Sequence, residues 1–401
     1  MNVLYMAAVE RGTTAIQWGQ AMLRDKLFSV AMLCVSASSM ISCGSPDSAA
    51  RNTHSGENSD EKNVLNLYIW SDYMAPDTIA SFEKFTNIKV RVSYFDTNET
   101  LESRMLTGNS GFDVVVPTAP FLQRQIRSGA YLPLDKKKLP NLANLDPAIM
   151  ARVALNDPGN AHAVVYAWGT YGIAYNEKMV AEVLPNVPLN SWRLIFDPKF
   201  AAKLAKCGIG TLDAPAGVVR LVLKYLGKNP NAPSPQDLAD AETVLSKIRP
   251  YIRNIDSSID LEALANGDMC VALTYNGTFV QARNRAKEAK NGIKLDFMIP
   301  EEGSLLWFDM LAIPRDAPHA DNALLFIDYL MKPQVIANIT NFIGNANANS
   351  AAAPLLDASI AADPAIFPSR DQLQRLFVQM EDSPEQTRAI TRLWQKFKTA
   401  Q

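Results

Sequence analysis

The chain has 401 residues, which is too long for one compact core and fits two domains. Hydrophobic residues make up 48% of it and charged residues 20%, as in an ordinary globular protein. The formal net charge of -2 argues against nucleic-acid binding, which usually requires a clustered excess of Lys and Arg. We find no apolar run of about 18 residues, so there is no obvious transmembrane helix.

Residues 1–43 have the pattern of an export signal. Two basic residues precede an apolar run at 27–35, and small residues then lead to Cys43 after Ile-Ser. This ending is similar to a bacterial lipobox, in which Cys43 would become the lipidated first residue of the mature chain. A plain cleaved signal with an incidental Cys43 is the alternative. Because the first 21 residues carry Glu10, Arg11 and many polar groups, which is unusual at the start of a signal, we expect Met22 to be the true initiator.

Residues 44–63 are rich in Ser, Asn, Asp and Glu and contain no aromatic side chain. Such a segment cannot bury enough apolar surface to offset the entropy lost on ordering. We predict a flexible tether between the lipid and the folded part, and therefore a periplasmic protein whose membrane contact is its lipid anchor.

Four cysteines are present, of which Cys34 lies in the signal and Cys43 is the anchor candidate. Cys207 and Cys270 remain. In an oxidising compartment two remaining cysteines favour a single disulfide, with two separate buried thiols as the alternative.

The first folded unit alternates strands with helices. The pattern predicts, in chain order, a strand at 64–69, a helix at 76–85, a strand at 90–94, a helix capped by Thr97 or Asn98 and ending at Gly108, a strand at 114–116 and a helix from 117 to about 129. Strands and helices at this spacing imply a mainly parallel, doubly wound sheet.

A second unit begins with a strand at 172–176 and continues with a strand at 270–275. Asn276 and Gly277 then predict a turn, and Thr278 the cap of a helix to about residue 289. The remaining predicted elements are a buried strand at 306–313 and helices at 320–331, 333–342, 370–380 and 384–398. Two α/β lobes of this kind bind ligands in the cleft between them, where strand carboxyl ends and helix N-termini meet.

The residues directly after the first strand suit a cationic ligand. They are Trp70, Ser71, Asp72 and Tyr73. An aromatic face stabilises an ammonium group by about 0.5–2 kcal/mol, and a carboxylate offsets part of the cost of burying its charge. The alternative is an aromatic cluster that closes the end of a core, with Asp72 capping the next helix.

Asp309 is a second candidate acid. It lies in the predicted strand at 306–313 near Trp307, and its neighbours Phe308 and Met310 make a surface position improbable. A buried carboxylate needs a partner, which is either a ligand ammonium or an internal Arg or Lys.

Catalysis is not predicted. The three histidines, at positions 54, 162 and 319, have no metal-ligand spacing, and a disulfide would leave no cysteine nucleophile. The Gly-Ile-Gly at 208–210 lacks the rest of a phosphate-binding loop. We therefore expect neither a metal nor a cofactor.

From Val64 to the C-terminus the chain resembles the putrescine-binding periplasmic proteins of polyamine ABC transporters. The stretches that carry the resemblance are WSDYMAPDTIASFEK, GFDVVVPTAPFLQRQ, CGIGTLDAP, LANGDMCVAL, ARNRAKEAKNG and NANANSAAAPL. It implies an α/β, two-lobed, type II periplasmic-binding-protein fold that closes on its ligand, a Cys207–Cys270 disulfide and delivery to an ABC permease, usually by a monomer. The predicted lobes are 64–171 with 299–334, and 172–298 with 335–401.

The resemblance also implies a ligand site. Trp70, Ser71, Asp72 and Tyr73 match the family's first aromatic and acidic cluster, and Asp309 matches the acid that binds one ammonium. Three further positions keep the character of the family's residue: Thr118 for Ser, Tyr275 for Trp and Trp307 for Phe.

Three positions depart from the family. Gly217 stands in place of a Glu, Thr278 in place of the Asp that binds the second ammonium, and Asn345 in place of a Tyr near the hinge. A buried second ammonium without a counter-charge would cost several kcal/mol. The main prediction is therefore putrescine-class capture. The alternative is a site retuned to a mono-amine, such as an ω-amino acid or an acetylated polyamine. An enzyme with a Cys nucleophile on the same fold is a more distant possibility.

Overall fold

The computed structural model describes residues 62–257 and 259–400. The export signal, the lipidation site Cys43 and nearly all of the tether at 44–63 lie outside these ranges and stay predictions. Among the described residues, no helix has both the length and the apolar character needed to cross a membrane.

Within the described residues, ten strands join in one sheet. The strands are β1 (Val64–Trp70), β2 (Lys89–Phe95), β3 (Val114–Val115), β4 (Ala163–Asn176), β5 (Ile209–Thr211), β6 (Asn254–Ile255), β7 (Val271–Tyr275), β8 (Leu295–Met298), β9 (Leu305–Ala312) and β10 (Phe377–Val378). Their order is β2-β1-β3-β9-β4-β7-β5-β6, with β10 paired to β9 and β8 paired to β4.

Helices cover both halves of the sheet. The α-helices are α1 (Thr78–Thr86), α2 (Asn98–Thr107), α3 (Ala119–Arg127), α4 (Pro147–Val153), α5 (Glu177–Val183), α6 (Arg193–Phe196), α7 (Pro198–Leu204), α8 (Pro215–Tyr225), α9 (Pro235–Ile248), α10 (Ile259–Asn266), α11 (Asn276–Ala289), α12 (Ala320–Leu330), α13 (Pro333–Ile343), α14 (Ala358–Ala361), α15 (Arg370–Arg375) and α16 (Pro384–Thr399). Short 3-10 turns lie at Lys136–Lys138, Pro140–Asn144, Pro158–Asn160, Arg249–Tyr251 and Ser350–Leu355.

Several helix ends follow from local chemistry. The Thr97 side chain accepts a hydrogen bond from the Thr100 amide at the start of α2, and Gly108 follows the helix with a φ of 74°. Ser383 forms a reciprocal capping box with Gln386 at the start of α16. The Thr97 cap and the stop at Gly108 agree with the prediction.

The sheet is mixed, whereas mainly parallel sheets were predicted. The outer strands of each half are parallel: β1 pairs in parallel with β2 and β3, and β5 with β6 and β7. Strands β4 and β9 connect the halves and run antiparallel to each other, while β9 is antiparallel to β3 and β4 to β7. The parallel order therefore holds at the edges and is interrupted by the two connecting strands.

Strand β4 passes from one half of the sheet to the other. Up to Thr170 it pairs with β9, and from Tyr171 it pairs with β7. We call this point, Thr170–Tyr171, the β4 crossing. The predicted strand began only at residue 172, but β4 begins at Ala163. Because nearly every residue of β4 is buried, its sequence has no polar alternation to reveal it.

Two hydrophobic cores flank the crossing. The first contains β1, β3 and most of β9, and the second contains α8, α9 and α16. Trp307 packs against both cores. The first core also takes in side chains from α10 and α11, so it contains parts of both predicted lobes, whose limits stay predictions.

Two element predictions are wrong. Residues 276–277 do not form a turn: α11 starts at Asn276 directly after β7, and Thr278 lies inside its first turn and does not cap it. The helix predicted at 370–380 ends at Arg375, because Phe377 and Val378 pair with β9 as a strand. In the first place the helix begins directly after the strand, and in the second the sheet includes residues that local pattern assigned to a helix.

The disulfide is confirmed. Cys207, after α7, is bonded to Cys270, directly before β7, and the two are 63 residues apart in sequence. It joins the segment before β5 to the strand that carries Tyr275 toward the crossing.

Candidate functional site

Asp309 lies at the centre of the site, on β9. It is 7% exposed, and its neighbours Phe308 and Met310 are fully buried. The Tyr73 hydroxyl donates to one carboxylate oxygen at 2.6 Å, and the Thr118 hydroxyl donates to the other at 2.8 Å. Among the described residues no Arg or Lys forms an ion pair with Asp309, so the internal cationic partner considered from the sequence is not what the fold supplies.

Each of the two residues that donate to Asp309 is positioned by further hydrogen bonds. The backbone carbonyl of Tyr73 accepts a 2.6 Å hydrogen bond from the buried Tyr166 hydroxyl. Asn98 accepts from the Thr118 amide at 3.0 Å and donates to the Thr118 hydroxyl at 2.9 Å, which leaves that hydroxyl proton for Asp309. The carboxylate is therefore fixed in orientation by groups from the loop after β1, from α2, from the N-cap of α3 and from β4.

Burial raises the pKa of Asp309 from 3.8 to about 6, although the hydrogen bonds from Tyr73 and Thr118 act in the opposite direction. Burial, together with the Asp309 charge, raises the pKa of Tyr73 well above its usual value. Tyr73 therefore stays protonated and can donate. A buried carboxylate held by neutral donors attracts a cation.

The loop after β1 places its residues differently. The Trp70 indole donates to the Val116 carbonyl at 3.0 Å, and its ring packs on Phe95 with centroids 4.4 Å apart. Ser71 and Asp72 are exposed, and Asp72 has a φ of 52°. Asp72 does not cap α1, whose N-cap residue is Asp77. The ligand roles of Ser71 and Asp72 stay predictions.

Three aromatic residues meet at the crossing. The Tyr275 and Trp307 rings are edge to face with centroids 6.5 Å apart, and the Tyr171 hydroxyl donates to the Tyr275 hydroxyl at 3.3 Å. A Cβ on Gly217 would lie 2.6 Å from the Tyr171 hydroxyl oxygen. The side chain of Tyr171 therefore fills the space beside position 217, where the resembled family carries a Glu.

Asn345 links the two ends of the site. It is 8% exposed, and its amide is close enough to the Tyr73 hydroxyl to lower that group's pKa. Its carbonyl oxygen also stands against the Cα of Gly277, where a side chain would collide with it. Thr278, in the next position of α11, is partly exposed.

The fold thus brings together six of the predicted site residues, which are Tyr73, Thr118, Tyr275, Trp307, Asp309 and Asn345. Sequence reasoning missed the residues that support them, which are Asn98, Tyr166, Tyr171 and Asn276. The Tyr-x-Trp-x-x-Tyr spacing in β4 was the available signal, but nothing local showed that this segment crosses between the halves of the sheet.

Comparisons with known proteins agree with this architecture. Residues 77–368 match the family model of the bacterial extracellular solute-binding proteins. The putrescine-binding periplasmic protein PotF of Escherichia coli (strain K12) is 47% identical over 341 residues, which are 84% of this chain and 92% of PotF. The chain belongs to the bacterial extracellular solute-binding protein family.

Other relatives of this solute-binding protein point the same way. The putrescine-binding periplasmic protein SpuD of Pseudomonas aeruginosa (strain UCBPP-PA14) is 46% identical over 341 residues, 84% of this chain and 93% of SpuD. The crystal structure of the spermidine/putrescine ABC transporter substrate-binding protein PotD from Streptococcus pneumoniae superposes with a TM-score of 0.74 at 26% identity. That superposition covers 84% of this chain and 99% of PotD. The predicted two-lobed α/β binding-protein fold is confirmed.

This solute-binding protein is not an enzyme, as its family membership shows. Both lobe cysteines are in the disulfide, so the described residues offer no thiol for the nucleophile considered from the sequence. Within residues 62–257 and 259–400 no three His, Cys, Asp or Glu side chains are grouped to hold a metal ion. His162 and His319 each contact a buried Asp at 3.0 Å, so both rings have a structural partner.

Proposed function

We propose that this solute-binding protein captures a polyamine-class ligand in the cleft at the β4 crossing and delivers it to the permease of an ABC importer. The observation that carries the proposal is Asp309, a buried carboxylate with two hydroxyl donors and no cationic partner among the described residues. The names of PotF and SpuD, putrescine-binding periplasmic proteins, support the same ligand class.

An ammonium group suits Asp309 for a physical reason. A carboxylate offers about four lone-pair sites, and the two hydroxyls occupy one on each oxygen. The remaining lone-pair sites are free for a ligand. Burying the negative charge of Asp309 costs free energy, and a bound cation offsets this cost. The ring of Tyr73 and those of Tyr275 and Trp307 provide the apolar and aromatic surface that a methylene chain prefers.

The test compares Asp309→Asn with Asp371→Asn, the same chemical change at an exposed position. Titration calorimetry with putrescine, cadaverine, spermidine and 4-aminobutyrate measures the affinity of each protein. We expect micromolar or tighter binding of at least one amine, and a loss of at least about 100-fold in Asp309→Asn only. No binding of any amine, or binding that survives Asp309→Asn, would contradict the proposal.

We further propose that binding closes two lobes, with limits at 64–171 plus 299–334 and at 172–298 plus 335–401. The change of pairing at the β4 crossing supports the first limit. Hydrogen exchange with and without ligand tests it, because closure should protect α3 and α11 together.

The export route is also a proposal. Cys43 is the lipidated residue, Met22 is the initiator, and the mature protein is a periplasmic monomer on a lipid anchor. Mass spectrometry of the mature N-terminus tests the first two points, and Cys43→Ala should release the protein from the membrane fraction. A mature N-terminus other than a lipidated Cys43 would refute the anchor.

A further inference from the structure

Beside the β4 crossing, two buried side chains have hydrogen-bond donors without acceptors. Asn276 is 0% exposed, and its side-chain nitrogen has no partner among the described residues. The indole nitrogen of Trp307 is buried and equally unpaired. Buried polar groups are normally hydrogen-bonded, so two unpaired donors at one place favour a ligand that accepts hydrogen bonds. One buried acceptor, the side-chain oxygen of Asn345 against Gly277, is also unpaired and is left for a donor on the ligand.

The orientation of the Asn276 amide is decided by its neighbour. Its oxygen accepts a 3.0 Å hydrogen bond from the Thr170 backbone N–H, a group that can only donate. The nitrogen is therefore the free end. The oxygen of Asn276 and the ring of Trp307 both stand against the Cα of Gly169, where any Cβ would collide with them. The two unpaired donors thus belong to one site, beside the β4 crossing.

The N-terminus of α11 lies at the same place. This helix of 14 residues begins at Asn276, its N-cap residue Tyr275 makes no side-chain cap bond, and its first turn contains no acidic residue. The free N–H groups of a helix start give it partial positive charge and favour an anion. Thr278 in that turn is neutral, so the turn supplies no counter-charge for an ammonium group.

Tyr275 offers a third donor at this place. The Tyr171 hydroxyl donates to the Tyr275 hydroxyl, which leaves the Tyr275 proton for another acceptor. Arg220, one turn after Gly217 on α8, acts on Tyr171 as a nearby positive charge that lowers the pKa of Tyr171, against the larger effect of burial. Arg220 is itself paired with Asp382. Asp309 also acts on Tyr171 and Tyr275 as a negative charge that raises the pKa of both. The hydrogen-bond donors and the helix N-terminus, and not a net positive charge, therefore favour an acceptor group on the ligand.

We infer that this solute-binding protein, beside the polyamine of the proposed function, binds a short ω-amino acid of the 4-aminobutyrate class, and binds it more tightly than a diamine. Its ammonium group binds Asp309, and its carboxylate accepts from Asn276, Trp307 and the first turn of α11. This inference rests on the proposed function, since it keeps Asp309 as the ammonium site. It changes the second end group from a cation to an anion.

The distance between the two ends fits such a molecule. Trp307 and Asp309 are two residues apart on β9, so their side chains leave the same face of the strand about 7 Å apart. A chain of a few methylene groups spans that length. A diamine of the same length would place its second ammonium, a donor, against the donors of Asn276 and Trp307.

Titration calorimetry of the mature chain with four probes separates the end groups. The probes are 4-aminobutyrate, putrescine, N-acetylputrescine and butylamine. We expect 4-aminobutyrate to bind at least about tenfold tighter than each of the others, because only it combines an ammonium with a charged acceptor. Putrescine binding equal to or tighter than 4-aminobutyrate would overturn the inference but leave the proposed function standing. Silence with all four probes would overturn the inference, and the proposed function fails with it only if cadaverine and spermidine do not bind either. A preference for N-acetylputrescine would overturn the inference in favour of a ligand with a neutral carbonyl group.

Two variants test the donor end directly. Trp307→Phe keeps a smaller ring and removes the indole N–H. 4-Aminobutyrate should therefore lose roughly five- to tenfold more affinity than butylamine, which loses only ring contact. Trp394→Phe, on α16, makes the same change away from the site. It removes a hydrogen bond to Asp213, so it should lower stability and leave both affinities unchanged. Equal losses for both probes in Trp307→Phe would mean that the indole only packs.

Thr278→Asp should reverse the preference, weakening 4-aminobutyrate and strengthening putrescine, each by about tenfold. Thr387→Asp makes the same change at an exposed position on α16 and should leave both affinities unchanged. Thermal unfolding checks that each variant is folded. If Thr278→Asp folds and keeps the wild-type preference, the carboxylate does not bind at α11.

Discussion

At the scale of single residues, Asp309 is a buried acid that has hydroxyl donors but no cationic side chain beside it among the described residues. The Tyr73 and Thr118 hydroxyls stabilise the ionised form, but they do not remove the cost of burial, which raises the pKa to about 6. The carboxyl group is therefore mostly ionised at neutral pH and easily protonated below it. Ligand affinity and protein stability should both depend on this proton.

Amine affinity should be constant above pH 7 and fall below about pH 6, approaching a tenfold loss per pH unit. A bound ammonium favours the ionised carboxyl, so a protonated Asp309 must release its proton on binding. Calorimetry from pH 4.5 to 8, in buffers of different ionisation enthalpy, measures this release. An affinity that stays constant down to pH 5 would place the ammonium elsewhere.

Asp309→Asn should stabilise the ligand-free protein at pH 8. The pKa of Asp309 is about 6 in the fold and ordinarily 3.8, so the folded state binds the proton more tightly than the unfolded state. The ionised group therefore destabilises the wild type above pH 6, by on the order of 3 kcal/mol, and the penalty disappears as the pH falls toward 4.

Denaturant unfolding of wild type and Asp309→Asn at pH 8 and pH 4 measures the difference. We expect the variant to be the more stable protein at pH 8 and nearly equal at pH 4. A variant that is clearly less stable at pH 8 would mean that the carboxylate is needed for packing.

The sequence predicted Asp309 as a buried acid because apolar residues flank it, a local signal that burial confirms. The hydroxyls that hold it come from positions 236 and 191 residues away in sequence. Tyr73 and Thr118 entered the predicted site separately, the second through the family resemblance. No periodicity within one strand indicates that two distant hydroxyls will meet one carboxylate.

At the scale of elements, local sequence pattern predicted several strands and helices correctly. It failed where contacts within the sheet determine the secondary structure. Strand β1 and helices α12 and α16 were placed within about two residues. The first half of β4 was missed because both of its faces are buried. The predicted start of α11 was wrong because the Asn-Gly pair does not form a turn. The side-chain oxygen of Asn276 instead accepts a hydrogen bond from Thr170, a contact that the local sequence does not show.

The disulfide should stabilise the second half of the sheet. It closes a loop with a sequence separation of 63, and the chain-entropy model gives about 4 kcal/mol for a loop of that size. Equilibrium unfolding with and without reductant, and of the Cys207→Ala, Cys270→Ala double variant, measures it. Equal stability of the oxidised and reduced proteins would show that packing around β5 and β7 is sufficient.

At the scale of the whole molecule, the halves should unfold together. All ten strands of the described residues belong to one sheet, and Trp307 packs against both cores. We expect one calorimetric transition, which saturating ligand moves upward by mass action, about 2.7 kcal/mol at 100 times Kd. Two transitions, of which only one moves with ligand, would show that the lobes are independent.

The two hydroxyls on Asp309 also bear on release. When an amine departs, the carboxylate still accepts from Tyr73 and Thr118, so emptying the cleft does not expose a bare buried charge. The barrier to dissociation is lower than it would be for an acid whose sole partner was the ligand. The proposed function requires both binding of the ligand and its release to a permease. Both steps depend on Asp309, and its two hydroxyl partners make the binding reversible.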